Sequence, residues 1–170
     1  LSILILCSSF SQTDEYIFRQ LTDADGLSQS TIFAMIQDRD GYLWLGTIDG
    51  LNRYDGYSFT VFSHNPFDTT TISSNNISFL FEDSRGLIWI GTRESGISIF
   101  NPVNGSFKRI SLTSDKEEII TSEITSIVED KDSIIWIGTN TSGLFKVSLV
   151  RDNNLTDHDW HFNHRARQLR

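Results

Sequence analysis

Nearly the same run of residues is written three times in this chain: Asp38-Arg-Asp-Gly-Tyr-Leu-Trp44-Leu-Gly46-Thr47, Asp83-Ser-Arg-Gly-Leu-Ile-Trp89-Ile-Gly91-Thr92 and Asp130-Lys-Asp-Ser-Ile-Ile-Trp136-Ile-Gly138-Thr139. A glycine followed by Leu or Ile comes next in each copy (Gly50-Leu51, Gly96-Ile97, Gly143-Leu144). The tryptophans stand at positions 44, 89 and 136, intervals of 45 and 47 residues. A period in that range on strand-like segments belongs to a β-propeller blade rather than to a helical solenoid. Because a propeller is a scaffold for recognition, the repeat constrains architecture more than chemistry.

The second copy is the cleanest to parse. Ile77-Ser-Phe79-Leu-Phe81 is rich in apolar residues and alternates well enough for a buried strand. Asp83-Ser-Arg-Gly86 is a tight turn, with Asp bonding its own backbone and Gly accepting a positive φ. Strands follow at 87–92, 97–100 and 107–110, separated by the turn-forming stretches Arg93–Gly96 and Asn101–Gly105. Four short antiparallel strands make a blade. The same parse places strands at 31–36, 42–47, 51–54 and 58–62 in the first copy, and at 124–128, 134–139, 144–149 and 158–162 in the third. Gly46, Gly91 and Gly138 let neighbouring sheets approach closely, and Trp44, Trp89 and Trp136 are expected to fill the wedges between blades. Ser133 stands where Gly41 and Gly86 stand in the other copies, so the third turn is expected to be looser or of another type.

The fold class is therefore all-β, a partial β-propeller with three four-stranded antiparallel blades plus an N-terminal ring-closing strand. The domain plan is a signal-peptide remnant at 1–11, the outer strand of a closing blade at 12–24, and blades at 25–64, 65–112 and 113–164, with a tail at 165–170. Tyr16-Ile-Phe18-Arg-Gln-Leu21 supplies the ring-closing strand. Closed propellers have about 4–8 blades, so the sequence reads as a piece of a longer ring, expected to expose apolar blade faces and to be poorly soluble alone.

Composition narrows the partners. A formal net charge of −8 disfavours non-specific nucleic-acid binding and attraction to anionic lipid. The basic cluster Arg165, Arg167 and Arg170 reads as a solvated tail. The single cysteine, Cys7, cannot form an intrachain disulfide. It follows the apolar run Leu1-Ser-Ile-Leu-Ile-Leu6, too short for a bilayer, which needs about 20 residues. That run reads as the end of a secretory signal peptide, with Ser9 and Ser11 as small residues before a cleavage point. A lipoprotein cysteine and a buried first strand are the alternatives, and bulky Leu6 weakens the former.

With these residues in hand, the chain resembles the two-component regulator propeller repeats. Asp25-Gly-Leu-Ser-Gln-Ser30, the Asp-x-x-Gly-x-x-Trp-x-Gly-Thr core and the following Gly-Leu carry the resemblance over about residues 16 to 150. The resemblance implies the sensor region of a Bacteroidetes hybrid two-component system, periplasmic, as the ectodomain of an inner-membrane protein. It further implies seven-bladed propellers, a homodimeric parent chain, an oligosaccharide ligand, and control of polysaccharide-utilisation genes through a histidine kinase phosphorelay. On this reading the segment is not itself an enzyme, and it takes no cofactor and no nucleic acid. The alternative is a secreted or surface propeller hydrolase or lyase with its catalytic residues in other blades.

Antiparallel strand order puts the turn between second and third strands on the same face as the connection to the next blade. Asp49, Arg93, Glu94 and Asn140 on those turns, with His64 and Phe67 on the long 63–74 connection, are the candidate ligand-binding residues. Directional polar groups beside an aromatic ring suit a sugar, and loops on a rigid scaffold commonly carry binding. Trp44, Gly46, Thr47, Trp89, Gly91, Thr92, Trp136, Gly138 and Thr139 are structural residues of the repeat. His158, His161 and His164 are spaced by three, but in a strand such residues point to opposite faces, so no metal site is expected. Asp38-Arg-Asp40-Gly41 begins like a calcium loop but lacks its distal ligands, and reads as a turn. The Asp–Trp hairpins are also similar to the Asp-box turns of sialidase propellers. Glycoside hydrolysis, however, needs converging carboxylates, which aspartates repeated on separate blade edges do not supply.

Overall fold

The computed structural model of the protein describes residues 16–110, 112–113, 119–147 and 167–168. The first sheet contains β1 (Ala34–Gln37), β2 (Leu43–Gly46), β3 (Leu51–Tyr54) and β4 (Phe59–Phe62). The second contains β5 (Ile77–Glu82), β6 (Ile88–Thr92), β7 (Ile97–Asn101) and β8 (Ser106–Ile110). A short hairpin, β9 (Leu112–Thr113) with β10 (Ile119–Ile120), precedes β11 (Ile124–Glu129), β12 (Ile135–Thr139), β13 (Leu144–Val147) and β14 (Arg167–Gln168). Each four-stranded sheet is an antiparallel meander in chain order. The three stand side by side through their inner strands, with β1 and β2 against β5 and β5 and β6 against β11. The architecture is a partial propeller.

Three details differ from the sequence reading. The strand that pairs with β13 is Arg167–Gln168, whereas the expected fourth strand at 158–162 lies outside the described residues, as do the histidines there and the signal-peptide segment. Tyr16–Leu21 forms no strand and has no strand partner among the described residues. The inner strand of the first blade also starts late, at Ala34. In the second blade the Ile77 N–H donates to Thr47 O of the preceding blade (2.9 Å), an anchor for which the first blade has no preceding described sheet.

Blade-on-blade packing forms the core. One cluster joins Trp44 and Leu51 of the first blade to Ile77, Leu80, Ile88, Ile90 and Phe100 of the second. The Trp44 ring lies 5.9 Å from Phe62 and 5.2 Å from Phe100, offset and tilted geometries that aromatic pairs favour. The next cluster joins Trp89, Ile97 and Ile99 to Ile124, Ile127, Ile135, Ile137 and Phe145. Trp44 and Trp89 are fully buried in these wedges, whereas Trp136, with no further blade beyond it among the described residues, is half-buried. Gly46 and Gly91 fit their expected role. A Cβ on Gly46 would stand 2.5 Å from Ile77 Cγ2 of the next blade, and one on Gly91 2.7 Å from Ile124 Cγ2.

The third Asp turn corrects an expectation. Ser133 adopts φ +57°, and its N–H donates to Asp130 O at 3.0 Å, as the Gly41 and Gly86 N–H groups donate to Asp38 O and Asp83 O. The turn is the same type, neither loosened nor rearranged. The Asp130 carboxylate accepts from the N–H groups of Asp132 and Ile134 and from the Trp136 indole, and these bonds hold the serine in the left-handed region. Ser133→Gly should therefore stabilise the protein by about 1 kcal/mol by relieving that strain. Urea denaturation checks this, and an unchanged or lower midpoint would contradict it.

Candidate functional site

The repeat residues build the turns before any ligand need be considered. In each Asp turn one carboxylate oxygen takes two backbone N–H groups and the other takes the indole: Trp44 Nε1 to Asp38 at 2.7 Å, Trp89 Nε1 to Asp83 at 2.9 Å and Trp136 Nε1 to Asp130 at 2.7 Å. The indole bond, with the backbone bonds, lowers the pKa of Asp130. At the opposite end the repeated threonines do similar work. Thr47, Thr92 and Thr139 donate Oγ1–H to Gly50 O, Gly96 O and Gly143 O (2.8–3.0 Å) and accept from Asp49 N, Ser95 N and Ser142 N. The Asp-Gly-Leu-Ser element docks here too: Ser28 N–H donates to the buried Asn52 Oδ1 at 2.8 Å, and Ser28 Oγ lies 3.0 Å from Thr47 Oγ1. These three aspartates are thus consumed as structural acceptors on separate blade edges.

The Thr end of the blades is where three successive sheets meet. Arg93 leaves the β6–β7 turn, and its N–H donates to Asn76 O at the start of β5 (3.1 Å). Its guanidinium lies 4.8 Å from the centroid of the Phe33 ring of the first blade, and Nη1 is 3.4 Å from Glu123 Oε1 at the start of the third. Both contacts are half-exposed and together contribute about 1 kcal/mol. The informative atoms are Arg93 Nε and Asn76 Oδ1, which are buried without a hydrogen-bond partner. Both are inaccessible to solvent, and the part of Arg93 that a ligand can reach is its half-exposed guanidinium tip between Phe33 and Glu123.

The other candidate residues fall into two groups. Asp49, Glu94 and Asn140 are exposed on turns at this same end, and Asn140 N–H donates to Glu123 O, next to the Arg93 ion pair. His64 and Phe67 lie on the 63–74 connection, which is organised by Arg109 of β8. The Arg109 guanidinium donates to Thr71 O, Asn65 O and Asp68 O at 2.7–3.0 Å. His64 Nδ1 is 2.8 Å from Ile72 O and its backbone N–H donates to Asn75 Oδ1, so this histidine is tied into the loop. Phe67 stands 97% exposed at its tip. Phe33, Asn76, Glu123 and Arg109 were not singled out from sequence. Each reads alone as an ordinary strand or linker residue; the meeting of three blades gives Phe33, Asn76 and Glu123 a common place, and Arg109 shows its role only through its bonds to the 63–74 connection.

The family described as two-component regulator propeller matches residues 26–49, 71–94 and 118–141. Histidine kinase P4 of Formosa agariphila is 46% identical over 63 residues, which are 37% of this chain and 5% of that protein. The chain thus spans a small part of the length of this relative. The extracellular domain of a hybrid two-component system from B. thetaiotaomicron superposes with a TM-score of 0.68 at 24% identity, covering 76% of this chain and 18% of that one. A second extracellular domain of this kind from the same organism gives a TM-score of 0.58 at 23% identity, covering 85% of this chain and 18% of the other. At such identities these likenesses speak for the fold.

Proposed function

We propose, from the premise that this chain is built of two-component regulator propeller repeats, that it is part of an extracytoplasmic sensor that binds a glycan-derived ligand without turning it over. The reading is carried by the part-exposed Arg93 guanidinium, which lies against the exposed Phe33 ring of one blade and beside the Glu123 carboxylate of another. Sugar hydroxyls both donate and accept, so one ligand can pair with the exposed tips of Arg93 and Glu123 while a pyranose face lies near the aromatic. Asp49, Glu94 and Asn140 on the neighbouring turns extend this polar surface. In the whole protein, periplasmic on this reading, binding would bias a two-state arrangement of the ectodomain, passed through a membrane span to a histidine kinase phosphorelay controlling polysaccharide-utilisation genes.

The test is thermal denaturation against a panel of oligosaccharides, with the sugars recovered afterwards for chromatography. A ligand at about 100 times its Kd stabilises by about 2.7 kcal/mol. The expected result is a raised Tm with a subset of the panel, recovery of the sugar intact, and loss of the shift in Arg93→Ala and Phe33→Ala. Both side chains are about two-fifths exposed, so neither substitution should unfold the protein. No shift with any sugar would defeat the glycan reading, and cleaved products would replace the sensor with a hydrolase or lyase.

A further inference from the structure

At the Thr end of the second and third blades one further cross-strand pair stands just beyond the β-ladder. Ile77 pairs with Thr92 and Ile124 with Thr139, so the register places Asn76 opposite Arg93 and Glu123 opposite Asn140. The backbone joins both pairs: the Arg93 N–H donates to Asn76 O at 3.1 Å and the Asn140 N–H to Glu123 O at 2.9 Å. Residues directly opposite in an antiparallel pair carry their Cβ atoms about 4.5–5.5 Å apart on one face. Asn76 and Arg93 belong to the middle sheet, so a described blade flanks this pair on either side.

Within that pair Asn76 Oδ1 accepts no hydrogen bond and Arg93 Nε donates none, although both are shielded from solvent. They are the only buried side-chain nitrogen or oxygen atoms without a partner among the described residues. A lone acceptor and a lone donor each carry a desolvation cost that a bond between them would offset. The backbone around Asn76 is already held. Its N–H donates to Ser74 Oγ at 3.1 Å, and the next N–H, of Ile77, reaches Thr47 O of the first blade at 2.9 Å. Freedom is left to the side chains, and the terminal torsion of an asparagine is broad.

We propose that Asn76 is a positioning residue of the candidate ligand site: its Oδ1 accepts the Arg93 Nε–H and fixes the guanidinium before a ligand arrives. The inference rests on the sensor reading above, and Asn76 acts through Arg93 without touching the sugar. Nε is then bound to Asn76, Nη1 stands 3.4 Å from Glu123 Oε1, and the guanidinium lies 4.8 Å from the Phe33 ring centroid. Residues of three blades thus set one plane, and the Nη2 N–H groups are left to donate to a sugar hydroxyl. An arginine already fixed loses less freedom on association, which appears as affinity.

The pairing is tested without any sugar, by nuclear magnetic resonance of the full chain carrying isotope-labelled arginine. The Arg93 Nε–H signal is identified by its loss in Arg93→Lys. It should exchange slowly with solvent in wild type and in Asn76→Asp, which keeps an acceptor, and rapidly in Asn76→Leu, which has a similar shape and none. Thermal denaturation checks that both Asn76 variants stay folded. Affinity is then measured for the panel oligosaccharide that raises Tm most. Asn76→Leu should bind it about three- to tenfold more weakly, the effect of freeing one long side chain, and Asn76→Asp should lie closer to wild type. Equal exchange in wild type and Asn76→Leu would overturn the pairing. Slowed exchange with unchanged affinity in Asn76→Leu would overturn the positioning role. Slowed exchange with no panel sugar bound by wild type would defeat the glycan reading and leave the Asn76–Arg93 pairing standing.

Discussion

Asp83→Ala is expected to destabilise the protein by about 3–4 kcal/mol, read as a lowered urea midpoint at unchanged slope. The carboxylate is 2% exposed and accepts from the Arg85 and Leu87 N–H groups, the Trp89 indole and the Arg85 guanidinium. Truncation removes the acceptor these donors share, and the lost bonds define both the hairpin and the seat of a tryptophan that fills the wedge to the third blade. Burying donors without acceptors costs about 1–3 kcal/mol, more where a charge was involved. Position should decide the size. Asp130→Ala removes the corresponding turn and indole bonds, but in a half-buried turn where water can replace them, so a clearly smaller loss is expected there. Equal losses at the two positions would show that the bonds themselves, and not their burial, set the cost.

What the sequence made legible follows from how each feature is encoded. The Asp turns and the Trp-x-Gly-Thr strands are specified by residues a few positions apart, and three copies repeat the same local solution, so blade architecture could be read directly. Ser133 misled because its conformation is set by the three bonds on Asp130 rather than by its own preference. The meeting of Phe33, Arg93 and Glu123 was illegible for a different reason. It takes one residue from each blade, and none of the three belongs to the repeated motif. His64 was singled out as a polar residue on a long loop, but the cation that organises that loop sits some forty-five positions later on β8. Arg93 was chosen from its turn, while its unsatisfied Nε follows from burial that only the fold supplies.

Gly91→Ala should cost about 3 kcal/mol, a loss caused by space and not by backbone conformation. Gly91 is not among the positive-φ glycines, so alanine suits its backbone, yet a Cβ there would lie 2.7 Å from Ile124 Cγ2 and 2.8 Å from Ile124 Cβ. The obstacle belongs to the next blade, so relief requires the two sheets to move apart and to open the wedge that buries Trp89. A double-mutant cycle with Ile124→Ala isolates that clash. Ile124→Ala alone leaves a cavity and costs about 2–4 kcal/mol, but in its presence the Gly91→Ala methyl has room. The double mutant should therefore be more stable than the sum of the single losses by about 1–2 kcal/mol. Gly41→Ala is the contrasting control, since nothing lies within 4 Å of its Cβ but its φ is +90°. It should cost about 1–2 kcal/mol through backbone strain alone, with no coupling to Ile124. Additive losses at Gly91 and Ile124 would mean that the repeated glycine is kept for a reason other than the approach of neighbouring blades.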